Sequence, residues 1–363
     1  MYIRNIELKD FRNYKALKTS FSENVNIFIG NNAQGKTNLL ESIYMNGMAK
    51  SFKTSKDREM IRFGREFCSV KTSAFFSDDI HTTEIVINNE GKKGIKIDGV
   101  KIKKTSEMLE RIFIIIFSPE DLKIVKDEPE KRRRFIDREL CQIKPGYYMD
   151  LNNYKKALKQ RNAYLKESDI ETDILDIWDR ELALYGARVI SKRREFIKKL
   201  NDISRVIHSR ISGGKENIEL NYEASISSIN DIERDFYDVL VSMRNDDIKN
   251  RNTGKGPHKD DMRISSDDVD IRKFGSQGQQ RTAALSLKLS EIKLIEEESG
   301  EKPILLLDDV LSELDNERQS YLINSLGGNQ LFITTTDISG KVARELPEGK
   351  IFKIRSGEVE IEI

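Results

Sequence analysis

Cysteine, histidine and long apolar runs are all scarce in this chain, and each scarcity removes a class of function. Two cysteines, Cys68 and Cys141, stand far apart in 363 residues, which excludes a disulfide framework and a CxxC metal hook. The three histidines, His81, His208 and His258, have no ligand-like spacing, so no structural or catalytic zinc is expected. The longest uninterrupted apolar run covers residues 112–117, far short of the roughly 20 residues a membrane helix needs. Met1-Tyr2-Ile3-Arg4 enters an alternating pattern directly, with no apolar targeting segment. Charged residues are 34% of the chain and hydrophobic ones 37%, so a polar surface around modest cores is expected. A reducing, cytoplasmic setting without membrane association fits all of this.

The formal net charge of +1 hides an asymmetry along the chain. Residues 131–210 hold 20 Lys and Arg against 12 Asp and Glu. Such a segment is either a solvated helical face or a surface offered to a polyanion.

Hydrophobic periodicity divides the chain in three. The first part reads as strands and one helix: Ile3, Ile6 and Leu8 lie near strand spacing, Val25–Ile29 is a buried strand, and a helix runs from Lys36 to about Asn46, stopped by Gly47. A hairpin is expected over 94–102, with Asp98-Gly99 as its turn. From about Phe135 the period becomes helical, predicting helices over 147–166, 173–211 and 228–250, the third on a stripe that opens at Ile229. Strand-and-helix character then returns, with a helix over 282–298, apolar strands over 303–307 and 331–335, and a final hairpin ending in 359–363. The expected fold is therefore α/β, one sheet domain built from residues 1–120 and 255–363, with a helical arm domain of residues 121–254 inserted.

The strongest motif is Gly30-Asn31-Asn32-Ala33-Gln34-Gly35-Lys36-Thr37, a G-x-x-x-x-G-K-T loop with an apolar strand before it and a helix after it. Backbone N–H groups of such a loop surround phosphates, helped by the positive end of the helix. Lys36 is placed to reach the β- and γ-phosphates of ATP, and the Thr37 hydroxyl to hold Mg²⁺. The strand ending Leu307-Asp308-Asp309 adds an acid, Asp308, for Mg²⁺ through its waters. Asp309 is placed to orient the attacking water. A third loop, Gly275-Ser276-Gln277-Gly278-Gln279-Gln280, opens a helix about thirty residues ahead of that strand. It reads as a capping turn or as a second anion site, for the nucleotide of a partner subunit.

These three elements, in this order, resemble the ABC ATPase superfamily, with 276–280 in the place of its signature motif and Ser312-Glu313-Leu314-Asp315 in that of its D-loop. The fold this implies is an ABC-type P-loop ATPase head with an inserted helical arm. The wide, helix-filled gap between Lys36 and Ser276 is similar to the SMC-type branch. Within it, Asp10-Phe11-Arg12-Asn13-Tyr14, the phosphate loop through Asn38, Ser51-Phe52-Lys53-Thr54, Arg132-Arg133-Arg134-Phe135-Ile136-Asp137 and Gly256-Pro257-His258-Lys259-Asp260-Asp261 resemble the RecF family of bacterial recombination mediators. Departures are Asp309 where the superfamily usually carries Glu, Lys53 where the family usually carries Arg, and Thr334, Thr335 and Thr336 in place of a switch histidine.

The resemblance implies a weak, DNA-stimulated ATPase that dimerises with ATP and Mg²⁺ on duplex DNA near gaps or junctions, working with RecR and RecO to load recombinase. Residues for the nucleotide are then Gly30 to Asn38, Lys53, Ser276, Gln277, Gly278 and Gln279. Candidate contacts to DNA phosphates are Arg132, Arg133, Arg134, Lys155, Lys156, Lys159, Lys192, Arg193 and Arg194. Three other readings are a transporter's ATPase subunit, a non-hydrolysing architectural clamp and a nuclease. The helical insertion argues against the first. The last needs a further metal-carboxylate domain, for which the roughly fifty residues after Asp309 leave no room.

Overall fold

The computed structural model describes residues 1–109, 111–227, 230–336 and 346–362. It divides into two compact units, Met1–Asp121 with Glu291–Ile363, and Leu122–Ser290.

The first unit begins with β1 (Tyr2–Phe11), β2 (Tyr14–Ser20), β3 (Val25–Ile29) and α1 (Lys36–Met48), followed by β4 (Phe67–Phe76), β5 (Asp79–Asn88), β6 (Lys93–Ile97), β7 (Val100–Lys101) and β8 (Ile114–Phe117). Six of these strands form a sheet in the order β2-β1-β4-β5-β6-β7, antiparallel throughout. The uneven spacing of Ile3, Ile6 and Leu8 has a local cause. The register against β4 shifts between Ile3 and Asn5, and the irregularity turns all three side chains to the buried face. Asp98 and Gly99, with φ of 50° and 80°, make the expected hairpin turn.

Gly47 does not stop α1, which continues to Met48 and ends where Ala49 takes a left-handed φ of 48°. Gly47 instead permits close packing, since a Cβ there would lie 3.0 Å from the Ile112 carbonyl oxygen.

The second unit carries α2 (Leu122–Lys126), α3 (Pro129–Ile143), α4 (Pro145–Tyr164), α5 (Thr172–Ile211), β9 (Ile218–Glu223), α6 (Ile232–Ser242), α7 (Arg244–Asn250), β10 (Asp261–Ser266), β11 (Val269–Asp270) and α8 (Ile271–Phe274). The division falls within α9 (Gln277–Ser299). The third expected helix is two, α6 and α7, separated at Met243; Ile229 lies outside the described residues. Strand β9 was not expected. It pairs antiparallel with β10 from Ile218↔Ser266 to Glu223↔Asp261, in a three-stranded sheet ordered β11-β10-β9. That pairing draws residues 255–290 into the second unit, past the boundary expected at 254.

The second unit is pinned by buried ion pairs. Arg161 of α4 is fully buried. It donates to Asp179 of α5 at 2.6 Å, Asp247 of α7 at 2.7 Å and the Thr253 hydroxyl at 2.8 Å. Arg244 adds a 2.7 Å bond to the other Asp179 oxygen. Buried charges persist only when paired in this way.

The chain returns to the first unit with β12 (Ile304–Asp308), α10 (Asn316–Ser325), β13 (Leu331–Thr335), β14 (Gly349–Arg355) and β15 (Glu358–Glu362). These complete a second sheet, ordered β15-β14-β3-β13-β12-β8. Its five strands from β14 to β8 run parallel, which explains the continuous apolar runs in β8 and β12, buried on both faces. No helix among the described residues is long and apolar enough to cross a membrane. The last hairpin forms as expected through Glu362, with Ile363 outside the described residues.

Candidate functional site

Strand β3 delivers the chain to Gly30 at the C-terminal edge of the parallel sheet, and the loop to Lys36 carries it into α1. Open α/β sheets bind ligands at that edge. Gly35 takes φ of 116°, and a Cβ there would stand 2.6 Å from the Asn13 amide nitrogen, so both backbone and space require glycine.

A brace outside the motif fixes the loop. The Asn13 side chain donates to the Gln34 carbonyl at 2.9 Å and accepts from the Asn38 amide at 2.9 Å. The Tyr14 hydroxyl donates to the Gly35 carbonyl at 3.0 Å. Burial pushes the Tyr14 pKa up, which keeps it a protonated donor. On the other flank, the turn of the β14–β15 hairpin holds Gln34: the Ser356 N–H donates to its side-chain oxygen at 2.6 Å, and the Gly357 N–H to its carbonyl at 3.0 Å.

Lys36 is 4% exposed, and its ammonium bonds back to the carbonyls of Gly30 at 2.6 Å and Asn31 at 3.3 Å. The Thr37 hydroxyl donates to one oxygen of Asp308 at 2.8 Å, joining α1 to the end of β12. The Thr334 hydroxyl of β13 donates to the same oxygen at 3.0 Å and accepts from the Asp309 N–H at 2.9 Å. Desolvation raises the pKa of Asp308, opposed by these two hydroxyl bonds. A desolvated carboxylate bonded to two hydroxyls, in the same unit as a buried ammonium held only by loop carbonyls, fits a site completed by Mg²⁺ and phosphate. Magnesium keeps much of its water and needs few protein ligands; among the described residues no cluster of three acids, histidines or cysteines competes for a metal.

One sequence expectation changes here. Thr334, expected as a stand-in for the switch histidine, is 2% exposed and committed to the acidic pair; its hydroxyl positions Asp308 and Asp309. Asp309 takes a left-handed φ of 52°, which turns the chain sharply after β12.

Lys53 donates to the Asn38 side-chain oxygen at 3.0 Å. Behind it, fully buried Glu41 of α1 receives both Nε and Nη2 of Arg12, at 2.8 and 2.7 Å, and also bonds Ser51. Sequence reading singled out neither Glu41 nor the supporting roles of Arg12, Asn13 and Tyr14. Glu41 was legible only as an acid on the otherwise apolar face of α1.

The signature loop lies in the second unit. The Ser276 N–H donates to the Gln279 side chain at 2.9 Å, and the Gln279 N–H to the Ser276 hydroxyl at 3.2 Å. This reciprocal pair is a capping box at the start of α9. Ser276, Gln277 and Gly278 are nevertheless exposed. The D-loop stretch is likewise exposed at Ser312, Glu313 and Asp315, and Asp315 caps α10 through the Arg318 N–H at 3.0 Å.

The expected DNA contacts separate by burial. Arg132 is 3% exposed, with a bidentate pair to Asp261 at 2.6 and 2.8 Å. Arg193 is 2% exposed, bound to Asp137 at 2.8 Å, the Tyr147 hydroxyl at 3.1 Å and the Pro257 carbonyl at 2.6 Å. Both are structural, which removes them from the nucleic-acid set. Arg133 is half-buried and donates to the Asp260 carbonyl at 2.6 Å; Arg194 is also half-buried. Arg134, Lys155, Lys156, Lys159 and Lys192 are exposed.

The family model for the RecF/RecN/SMC N terminal domain matches residues 2–345. The DNA replication and repair protein RecF of Agathobacter rectalis is 48% identical over 364 aligned positions, covering 99% of each chain. That of Clostridioides difficile is 44% identical, covering 99% of this chain and 98% of the relative. A solved structure of the recombination mediator protein RecF with ATPrS, in the RecFOR pathway, superposes with a TM-score of 0.92 at 39% identity, covering 100% of this chain and 98% of that one. The Smc head domain of Pyrococcus furiosus superposes at 0.57 with 16% identity, a likeness of fold alone. The chain belongs to the RecF/RecN/SMC family, and within it to the RecF proteins.

Proposed function

We propose that this protein is a DNA repair and recombination ATPase that clamps DNA as an ATP-dependent homodimer. The observation that carries this is the set Lys36, Thr37, Asp308 and Asp309, held in one unit by the Thr334 hydroxyl and the Asn13–Tyr14 brace. Lys36 and the loop N–H groups of Gly30 to Asn38 bind the β- and γ-phosphates. Thr37 and Asp308 would hold Mg²⁺, which would supply neutralisation of charge on the phosphates. Asp309 orients the attacking water. Its side chain is shorter than glutamate, and the sequence has no histidine after His258, so turnover is slow; stimulation by DNA is what the family likeness adds.

The exposed Ser276, Gln277 and Gly278, with half-buried Gln279, close on the γ-phosphate bound to the partner copy, burying two nucleotides in a symmetric dimer. Hydrolysis removes that contact and loosens the clamp. DNA is held through its phosphates, hence with little sequence preference and strong salt dependence. The first unit acts as the head and the second, which takes in residues 255–290, carries the helical arm, in a cytoplasmic RecF-type role beside RecR and RecO at gapped or junction DNA. The solved relative is a recombination mediator of the RecFOR pathway, which supports that assignment.

Sedimentation with and without ATP, Mg²⁺ and DNA tests the proposal. The expected outcome is an ATP-dependent dimer that retains duplex and gapped DNA. Ser276→Arg should bind ATP as a monomer and fail to dimerise. A parent chain that stays monomeric under every condition would sink the clamp.

A further inference from the structure

One aromatic side chain of the first unit gains nothing from folding. Phe63 is 101% exposed, whereas burial of such a ring is ordinarily a main contribution to stability. The turn that carries it is firmly held. The Arg62 N–H donates to the Asp10 carbonyl at 2.8 Å, the Arg65 N–H to the Arg62 carbonyl at 3.0 Å, and the Asn89 N–H to the Glu66 carbonyl at 2.8 Å. Ile61 bridges to Phe11. The Asp10 carboxylate pairs with Arg62 at 3.5 Å and Arg65 at 3.4 Å, on either side of Phe63. The ring is thereby presented to solvent by a braced turn.

Its surroundings are basic. Residues 50–67 hold six Lys and Arg against three Asp and Glu, with Arg58 and Arg65 exposed. The Lys9 ammonium sits 5.2 Å from the ring centroid of Phe67, itself 41% exposed. The turn also leads back to the nucleotide site. Arg12 donates its N–H to the Met60 carbonyl at 2.7 Å and its guanidinium to the Glu59 carbonyl at 2.7 Å, while its other nitrogens hold Glu41 of α1.

An open aromatic face beside cations suits a ligand that is flat and apolar on its faces and anionic along its backbone, which describes an unstacked nucleotide. Bases inside a duplex are stacked on both sides and offer the ring no free face. We infer that Phe63 is a stacking platform for an unpaired base of single-stranded DNA, with Arg58 and Arg65 on the adjoining phosphates. This rests on the DNA-binding reading above and adds the strand that is read: the single-stranded side of a gap.

The test titrates blunt duplex and gapped duplex, at one salt concentration with ATP and Mg²⁺, against the parent chain, Phe63→Ala and Phe63→Trp. Phe63→Ala should bind gapped DNA about tenfold more weakly and blunt duplex as the parent does, while Phe63→Trp restores the gapped affinity. Equal affinities of Phe63→Ala and the parent for gapped DNA would overturn the inference alone, as would an equal loss on both DNAs. Loss of ATP-dependent dimerisation with gapped-DNA binding intact also overturns it, by assigning the ring to a protein pocket. A parent chain that binds neither DNA overturns the DNA-binding reading and this inference together.

Discussion

Lys36 and Arg193 are both almost fully buried cations, 4% and 2% exposed, yet their surroundings differ in kind. Arg193 is surrounded by a carboxylate, a phenol and a carbonyl, a finished structure with its charge already matched. Lys36 has two loop carbonyls, and among the described residues no carboxylate lies within ion-pair distance of it. A buried cation with its counter-charge in place is architecture; one held only by dipoles at the mouth of a helix awaits an anion. Sequence reads both as cations for phosphate, Lys36 for the nucleotide and Arg193 for DNA.

Substituting each kind of cation separates them. Lys36→Ala removes charge-assisted bonds to phosphate worth about 1.5–3 kcal/mol each, so ATP affinity measured by calorimetry should fall by a factor of a hundred or more. Stability without nucleotide should change little, since only bonds to carbonyls at the site's edge are lost. Near-normal affinity would show that the loop is not the nucleotide site.

Arg161→Leu should do the reverse. It leaves Asp179 and Asp247 buried without their shared partner, at a cost of about 3–5 kcal/mol, read as a lower urea midpoint. Adding Asp247→Leu should recover part of the loss by removing one of the stranded charges. ATP affinity of the folded fraction should match the parent, because the network and the phosphate loop belong to different units. A midpoint unchanged by Arg161→Leu would contradict a structural role.

Asp308 stands between these extremes, since its desolvation costs stability that its function requires. Its folded pKa is raised, so its protonated form favours the fold. That contribution is fully present below the unfolded pKa and is lost as pH rises through the folded one. Asp308→Asn, which keeps an oxygen for Thr37 and Thr334, should therefore raise apoprotein stability at pH 7, with the gain over the parent vanishing toward acid. Mg²⁺-dependent tightening of ATP should disappear in the same variant. A variant less stable than the parent at pH 7 would show that the hydroxyl bonds, not burial, dominate.

What sequence made legible follows the range of the forces involved. The phosphate loop, the acidic strand and the helices α4 and α5 are specified by short-range signals, glycine spacing and apolar period, and formed close to where expected, whereas the third expected helix is split at Met243. Strand β9 carries its own apolar–polar alternation over Ile218–Glu223, a signal the sequence reading missed, but the limit of the second unit depends on its pairing with Asp261–Ser266, some forty residues away, which no local signal encodes. The brace from Asn13 and Tyr14 was visible as a motif but not as a function, because its partners are backbone atoms of Gln34 and Gly35. Burial of Arg132 and Arg193 was hidden for the same reason: their acids, Asp261 and Asp137, lie on other elements.

The smallest effect tests the residue of that comparison, the cations burial leaves available. Lys155, Lys156 and Lys159 are exposed on α4; among the described residues, Lys155 alone of the three has an acid within ion-pair distance, Asp137 at 3.9 Å. Such pairs contribute about 0–1 kcal/mol, so replacing each with Gln should leave the melting temperature within error. Each lysine that contacts a phosphate should, when replaced, weaken duplex and gapped DNA alike and flatten the slope of log affinity against log salt by about one. A slope unchanged in the triple variant would assign the basic stretch of residues 131–210 to solvation, and the DNA-binding surface would then have to be sought elsewhere. A slope reduced by about three would establish α4 as a backbone-tracking face. Arg132 and Arg193 on the neighbouring helices would then be what holds that face in shape while touching no DNA themselves.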